Sequence, residues 1–353
     1  MTTEPLPNGI TPESLTMALR CAGALTDGRV ASVSVKRAWP TILSRIVRLG
    51  LAYEGDAADA PASVIVKTGL PERMSKDWSG GRKEIAFYRD VAAATRPGVL
   101  PRCFEAEWDE KTYHWRLVLE DLGDSHRIAT QWPLPPRWED CQTILRAWAR
   151  FHAHWWDDVR LGSSIGRWGD AAAIDQFLRR LGEKVSAFAD RMGDRLPSER
   201  KRLYERLVDQ APRLLDRFDS RRNVTIAHGD AHVWNCFLPK DGGADVRLFD
   251  WDNWRLGIAS EDLAYMMAVH WYPDRRQALE TRLLDAYFAE LAAQGVSGYG
   301  RRALADDYRF SVLWSVTTPV WQAEGGIPPV IWWNNYERIW LAFDDLDCRE
   351  LLG

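Results

Sequence analysis

The sequence has few cysteines, and none of them forms a recognisable pair. Its 353 residues include five cysteines with no CxxC spacing and an odd total, namely Cys21, Cys103, Cys141, Cys236 and Cys348. A disulfide framework or a zinc knuckle needs paired or closely spaced cysteines, so this scatter argues against both. We therefore expect reduced thiols, as in a cytosolic protein.

Long apolar runs and an excess of positive charge are also missing. No run approaches the length of about 20 apolar residues that spans a bilayer, and the polar, proline-containing start is unlike a secretory signal. The net charge is -4, and no Lys/Arg cluster alternates with aromatic residues as a nucleic-acid groove requires. These absences predict a cytoplasmic protein with neither a membrane nor a nucleic-acid partner, and they leave its oligomeric state open.

Tryptophan, by contrast, is abundant, with nineteen residues in the chain. Pairs such as Trp155-Trp156 and Trp332-Trp333 lie in helical-looking runs, where core packing is the simplest explanation. The excess as a whole also suits an aromatic-lined substrate pocket. Hydrophobic residues make up 46% of the chain, enough for a large core shared by two subdomains.

The pattern of apolar residues changes along the chain from strands to helices. Three runs rich in Val and Ile predict a small antiparallel sheet: ASVSVKRAWP, TILSRIVRLGLAYEG and ASVIVK. In RKEIAFYRDVAAA, the residues Ile85, Tyr88 and Ala92 recur at helical spacing, so one helix should interrupt the sheet. From about Pro136 the apolar residues follow a helical period. We predict an N-terminal lobe over residues 1–122 and a C-terminal lobe over residues 123–353.

The densest group of polar residues lies in IAHGDAHVWNCFLPKDGGADVRLFDWDNW, residues 226–254. Asn235 follows Asp230 by five positions, which is the spacing of the catalytic loop in protein kinases, and Asp250 ends a strand-like run. Phosphoryl transfer needs an oriented hydroxyl and neutralised phosphate charge, and Mg²⁺ prefers oxygen ligands. We expect Asn235 and Asp250 to bind Mg²⁺, and Asp230 to accept the proton of the acceptor hydroxyl.

A phosphoryl-transfer site of this kind also requires an upstream lysine paired with a glutamate on the next helix, to hold the nucleotide phosphates. Lys67 ends ASVIVK, and Glu84 lies in the helix that follows. Each residue alone would be ordinary, but their order, strand and then helix upstream of the Asp230 loop, favours a functional pair.

The sequence resembles the aminoglycoside phosphotransferase, choline kinase and ecdysteroid-kinase-like group of small-molecule kinases. The Lys67/Glu84 pair and five motifs between about residues 30 and 350 carry the resemblance: HGDAHVWN, LFDWD, GIASEDLAYMM, LVLEDLG and WARFHAHWW. The resemblance implies an α+β, protein-kinase-like fold with an N-terminal antiparallel sheet, one helix in that lobe and a mainly helical C-terminal lobe. It implies an ATP-dependent, or GTP-dependent, and Mg²⁺-dependent phosphotransferase acting on a small-molecule hydroxyl.

The family pattern adds assignments in both lobes. By resemblance, the backbone from Glu120 to Leu122 is the hinge segment that meets adenine, Asp262 braces the catalytic loop, and His228 packs beneath that loop. One departure concerns the phosphate-binding loop, because no glycine occurs between Val35 and Val47. Ser44, or backbone amides near Thr41, would contact the phosphates instead.

Two other functions remain open at this point. His228, Asp230 and His232 could be metal ligands of a hydrolase, although that interpretation gives no role to Lys67 or Glu84. A pseudokinase or nucleotide-sensing scaffold is the second alternative, favoured by the missing glycines and disfavoured by the intact Asp230, Asn235 and Asp250. The sequence does not identify the acceptor.

Overall fold

The computed structural model describes residues 5–71 and 80–353, and the chain divides into two units. Unit 1 comprises residues 1–129 and 235–254, and unit 2 comprises residues 130–234 and 255–353. Unit 1 is thus built from two separate stretches of chain. The lobe boundary after residue 122 stays a prediction.

Unit 1 is built mainly of strands. Its strands and helices, in chain order, are α1 Pro12–Cys21, β1 Arg29–Pro40, β2 Ser44–Glu54, β3 Ser63–Gly69, α2 Gly80–Ala86, β4 Cys103–Trp108, β5 Trp115–Glu120, β6 His126–Ile128, β8 Cys236–Pro239 and β9 Arg247–Leu248. The first five strands form an antiparallel sheet in the order β1-β2-β3-β5-β4, and β6, β8 and β9 form a second, three-stranded sheet.

Strand β3 lies at the centre of the five-stranded sheet, and its alternating side chains place Lys67 on the face opposite the hydrophobic core. Val64 and Val66 are fully buried and join the hydrophobic core that contains α1. Because side chains alternate along a strand, Lys67 projects from the opposite face to Val66. Its register is fixed by Ile46 on β2 and Leu117 on β5.

The helix predicted after β3 is present but irregular. The α-helical part ends at Ala86, a π-helical turn follows at Phe87–Val91, and a 3₁₀ turn covers Ala92–Ala94. A π turn inserts one residue into the helical repeat, so it rotates the side chains that follow. Phe87, Tyr88 and Val91 are consequently all buried.

Unit 2 is mainly helical, as the apolar period from Pro136 predicts. Its helices and strands are α3 Trp138–His154, α4 Ala171–Met192, α5 Ser198–Leu215, β7 Thr225–Ala227, β10 Arg255–Gly257, α6 Ser260–Ala264, α7 Pro273–Ala293, α8 Arg301–Ser315, α9 Thr318–Glu324 and α10 Pro329–Asp345. Strands β7 and β10 form an antiparallel pair that places Ala227 opposite Arg255. Trp148, Trp155 and Trp332 are buried in unit 2, so core packing explains them. Across the described ranges, the helices are too short or too polar to cross a membrane.

Candidate functional site

Lys67 lies in unit 1 between two carboxylates. Its Nζ is 2.8 Å from Oε1 of Glu84 and 2.5 Å from Oδ1 of Asp250. Lys67 is 8% exposed and Glu84 is 1% exposed, so the charges are largely removed from water. Burial opposes the charged ammonium, but Asp250 and Glu84 outweigh it and raise the pKa of Lys67 above its ordinary value. The structure therefore joins three of the residues that the sequence analysis selected.

A glycine allows α2 to bring Glu84 this close to the sheet. A Cβ atom on Gly81 would lie 2.3 Å from Nε1 of Trp115 on β5, so only glycine fits the existing contact. The Trp115 ring is also 5.9 Å from the Lys67 ammonium. Sequence analysis did not single out Gly81, since its role depends on a residue 34 positions away.

Asn235 and Asp250 lie at the same end of the β8–β9 pair. Cys236 pairs with Leu248, and the Phe249 amide donates to the Asn235 carbonyl at 3.2 Å. Asn235 is 4% exposed, whereas the Asp250 side chain is 37% exposed. Asp250 adopts a left-handed backbone conformation with φ of 71°, which is uncommon outside glycine and often marks a functional position. The backbone therefore brings an amide-bearing and a carboxylate-bearing residue to the same end of the strand pair, and both groups supply oxygen donors that Mg²⁺ can use.

The predicted hinge segment begins at Glu120, the last residue of β5, and it contacts neighbouring parts of unit 1. The Glu120 carboxylate accepts from the Arg102 amide at 3.0 Å and from Arg247 at 3.2 Å. The Leu122 carbonyl accepts from the His126 amide at 2.8 Å, and the Leu122 side chain is buried. Their contact with adenine stays a prediction.

Asp121, between these two hinge residues, was missed by the sequence analysis. Its carboxylate forms an ion pair with Arg48 and accepts from the Ser63 hydroxyl at 2.6 Å and the Gly123 amide at 2.9 Å. These contacts fasten the segment to β2 and β3. Burial opposes ionisation, but Ser63, Gly123 and Arg48 together hold the pKa of Asp121 below its ordinary value.

Ser44 lies at the start of β2, after the short turn that joins β1 to β2. Its hydroxyl is 2.9 Å from the Thr41 hydroxyl, and the Ser44 amide donates to that same Thr41 oxygen at 2.9 Å. The Ser44 side chain is buried within the turn. Thr41 therefore fixes the turn by side-chain hydrogen bonds, and contact of Ser44 with a phosphate stays a prediction.

In unit 2, Asp262 holds the loop that carries Asp230. Its Oδ2 accepts from the His228 amide at 2.8 Å, and its Oδ1 accepts from the Gly229 amide at 3.0 Å. Asp262 is 1% exposed, so these bonds form away from water. Gly229 has a positive φ of 81°, which glycine adopts without strain. The carboxylate thus satisfies two amides at a sharp bend directly before Asp230.

His152 on α3 completes the support of this loop. Its Nε2 is 3.1 Å from Asp262 Oδ2 and its Nδ1 is 2.9 Å from the Tyr287 hydroxyl, and the whole residue is buried. The sequence analysis did not include His152 among the site residues. Burial opposes ionisation of Asp262, but the hydrogen bond from His152, together with the one from the His228 amide, holds its pKa below the ordinary value.

His228 itself faces the interior of unit 2. It is fully buried, its ring lies edge-on to Trp148 at 5.3 Å, and its Nδ1 accepts from the Asp230 amide at 3.2 Å. These contacts give His228 a structural role in the loop. Nowhere in residues 5–71 and 80–353 does a group of three His, Cys, Asp or Glu side chains have an arrangement that could hold a metal ion.

The Asp230 side chain is 25% exposed and lies next to His232, whose Nε2 is 3.5 Å from Asp230 Oδ2. The His232 ring packs against Trp234 and His270 at centroid distances of 5.4 and 5.6 Å. Tyr265 lies 5.1 Å from the His270 ring, and its carbonyl accepts from His270 Nδ1 at 2.7 Å. Asp230 is therefore accessible on one side and bordered by aromatic rings on the other.

His270 should make the stability of unit 2 depend on pH. Burial, with His232 and Arg338 adding to it, lowers the pKa of His270 from 6.5 to about 3. Below pH 6.5 the unfolded chain binds a proton that the folded chain rejects, so stability falls as the pH decreases towards 3. Between pH 7.5 and 5.5 we expect His270→Gln to lose about 1 kcal/mol less stability than the wild type.

The measurement for His270 is the change in Tm between pH 7.5 and pH 5.5, by calorimetry, for the wild type and His270→Gln. The matched control is His114→Gln, since His114 is exposed on unit 1. The wild type and the control should show the same decrease in Tm, and His270→Gln a smaller one. An equal decrease in all three proteins would contradict the assignment.

Comparison with known proteins finds similarity to small-molecule kinases. The family model of the ecdysteroid kinase-like family matches residues 169–295, which include α4, α5, the Asp230 loop and Asp250. No curated protein matches the chain. The matched segment therefore covers most of the predicted catalytic motifs, although not the strands around Lys67.

Solved structures extend the similarity to nearly the whole chain. A Ralstonia eutropha protein assigned as an aminoglycoside phosphotransferase has a TM-score of 0.60 at 14% identity, with 96% of this chain and 97% of that chain covered. The Plasmodium vivax ethanolamine kinase has a TM-score of 0.58 at 10% identity, with 90% and 83% covered. A GDP complex of an aminoglycoside 2′-phosphotransferase has a TM-score of 0.51 at 13% identity, with 97% and 99% covered. These matches confirm the predicted protein-kinase-like fold and the resemblance to small-molecule kinases.

Proposed function

We propose that the protein is a Mg²⁺-dependent phosphotransferase that moves the terminal phosphoryl group of ATP, or of GTP, to a hydroxyl of a small molecule. The observation that carries the proposal is the buried contact of Lys67 with both Glu84 and Asp250. An ordinary structural lysine needs one carboxylate, whereas this one holds two carboxylates from separate elements. Lys67 is the group we assign to the nucleotide phosphates.

The charges around Lys67 favour a divalent cation. One ammonium facing the carboxylates of Glu84 and Asp250 leaves a net negative charge, and Asp252, which is 8% exposed, adds to the negative field at Lys67. Carboxylates that outnumber the ammonium group would be stabilised by a bound divalent cation. Asp250 and Asn235 would hold the metal, which when bound would neutralise charge on the phosphoryl oxygens.

Asp230 is the residue that we assign to the acceptor. Its partly exposed carboxylate can accept a hydrogen bond from a substrate hydroxyl, orient that oxygen for attack and take its proton as transfer proceeds. His228 and Asp262 keep the loop backbone fixed, so the carboxylate is presented in one position. The GDP bound in one structural relative supports a purine nucleotide as the donor.

The proposed donor site can be tested by a thermal-shift titration with ATP and GTP, each with and without Mg²⁺. A ligand at 100 times its Kd stabilises the native state by about 2.7 kcal/mol, which corresponds to a rise in Tm of several degrees. We expect this rise to require Mg²⁺ and to disappear in Asp250→Asn. The matched control is Asp245→Asn, an exposed aspartate between β8 and β9 that pairs with Arg247.

Two results would count against the proposal. A wild-type protein that shows no shift with either nucleotide would favour the scaffold interpretation, in which the fold serves interaction rather than catalysis. Equal Mg²⁺-dependent shifts in the wild type and Asp250→Asn would remove Asp250 from the metal site.

If the wild type shows a Mg²⁺-dependent shift that Asp250→Asn lacks, the next experiment is a screen for the acceptor. The screen would compare alcohols that include aminoglycosides, choline, sugars, hydroxy acids and sterol-like alcohols.

A further inference from the structure

The segment after Asp250 is attached to α2 by two tryptophans. The Trp251 ring stacks on Phe87 with a centroid distance of 3.9 Å and an interplanar angle of 7°. Trp254 donates from Nε1 to the Lys83 carbonyl at 2.8 Å, and its ring lies 6.0 Å from Phe87. Both contacts reach the part of α2, and of the π turn after it, that flanks Glu84.

These contacts are buried and specific. Trp251 and Phe87 are fully buried, Trp254 is 9% exposed, and the Trp251 indole also donates to the Leu248 carbonyl at 3.2 Å. A nearly parallel aromatic pair and an indole hydrogen bond each fix a direction as well as a distance. Phe87 begins the π turn directly after α2, so the stacking contact lies one residue beyond the helix that carries Glu84.

We propose that Trp251 and Trp254 are positioning residues that join the Asp250 segment to α2, so that Asp250 and Glu84 meet Lys67 before any ligand binds. This inference rests on the proposed function, since it gives the two tryptophans a role in metal and nucleotide binding. Lys67 requires both carboxylates at fixed positions. Because Lys67 is only 8% exposed, water cannot replace a carboxylate that moves away from its ammonium group. Trp251 and Trp254 hold the two carboxylates in place through these contacts, without contacting the ligand themselves.

The position of the hydrogen bond explains how Trp254 can act through other residues. Its acceptor, Lys83, immediately precedes Glu84, and Trp254 lies four residues after Asp250. Movement of α2 away from the sheet would therefore pull on the Asp250 segment, and movement of that segment would pull on α2. In the free protein the two carboxylates should open together, and neither should open alone.

The test compares Trp254→Phe, which keeps an aromatic ring but removes the Nε1 donor, with Trp39→Phe as a matched control. Trp39 lies on β1 in the same unit and packs under Arg37. Hydrogen exchange is measured in the free protein on peptides that cover residues 80–91 and 248–256. We expect exchange in both peptides to rise together by about 5- to 10-fold in Trp254→Phe, and to stay at the wild-type level in Trp39→Phe.

The second measurement is the Kd for ATP with Mg²⁺ and with EDTA. Trp254→Phe should lose about 5- to 10-fold of the affinity measured with Mg²⁺ and a smaller factor of the affinity measured with EDTA, because the metal ligand is displaced while Lys67 itself stays on β3. Phe87→Leu removes the stacking partner and should give the same pattern. It keeps the proposal testable if Trp254→Phe does not fold.

Three results would overturn the coupling: exchange in Trp254→Phe equal to that in Trp39→Phe, exchange that rises in one peptide only, or equal losses of affinity with and without Mg²⁺. A wild-type protein without Mg²⁺-dependent nucleotide binding would instead overturn the proposed function. The exchange measurement needs no ligand, so it would still decide whether the tryptophans join the two segments.

Discussion

Asp230→Asn should lower the kcat for phosphoryl transfer by about 10²- to 10⁴-fold, the usual contribution of a positioned general base. Asparagine keeps the size of the side chain and can still contact a hydroxyl, but it cannot take the proton. The Asp230 amide, which donates to His228 Nδ1, is unchanged by the substitution, so the loop should keep its backbone conformation. The nucleotide Kd should therefore stay within about two-fold of the wild type.

The measurement is ADP release with the acceptor that gives the highest rate in a panel of alcohols, together with calorimetric titration of the nucleotide. Asp175→Asn, at an exposed position on α4, is the matched control and should have wild-type kcat and Kd. Wild-type turnover in Asp230→Asn would defeat the assigned role. Loss of nucleotide binding as well as turnover would point to a collapsed loop rather than a missing base.

Parts of the site could be predicted because they depend on short-range spacing or on chain order. Asp230 and Asn235 are five residues apart, and Asp250 closes the strand pair that starts next to Asn235. Lys67 and Glu84 are recognisable from their order in the chain. A lysine near the end of a buried strand needs a carboxylate partner, and the helix that follows the strand is the nearest element that can provide one. The strand-rich start and the helical remainder follow from periods of 2 and 3.6 residues.

The family resemblance indicated that Asp262 supports the loop, but other supporting contacts could not be predicted, because they join residues that are distant in sequence. His152 is 110 positions from Asp262, and nothing around His152 distinguishes it from an ordinary core histidine. The pairing of Trp251 with Phe87 joins two residues that are far apart in the sequence, and apolar periodicity gives no signal for it. The turn between β1 and β2, which we predict to contact the phosphates, shows the same limitation, since Thr41 fixes it by side-chain hydrogen bonds without a glycine.

Asp262→Asn should reduce both stability and turnover, by a different route from Asp230→Asn. The carboxylate accepts from two amides and lies beside a buried histidine, whereas an asparagine side chain must place an NH₂ group at one of the two oxygen positions. One buried N–H then faces another donor, which costs about 1–3 kcal/mol. We expect Tm to fall by several degrees and kcat to fall at temperatures where the protein is still folded.

Protonation of Asp262 at low pH should have the same effect on stability as Asp262→Asn. Because the folded pKa of Asp262 lies below the ordinary value of 3.8, its stabilising contribution is complete above that pH and is lost as the pH falls towards the folded pKa. Asp262→Asn should therefore lose less stability between pH 5 and pH 3 than the wild type, as measured by the change in Tm. A variant whose Tm declines in parallel with that of the wild type over this range would contradict the prediction.

Asp307→Asn separates loss of stability from loss of loop geometry. Asp307 is also buried in unit 2, where it forms a bidentate ion pair with Arg217 at 2.8 and 2.9 Å and accepts from the Tyr299 hydroxyl at 2.9 Å. Its removal should lower Tm by a comparable amount, since it too leaves buried polar groups without their partner. Asp307→Asn should nevertheless keep its kcat below the transition, because its carboxylate bonds neither amide of the Asp230 loop. Equal losses of kcat in the two variants would show that Asp262 acts only through the stability of unit 2.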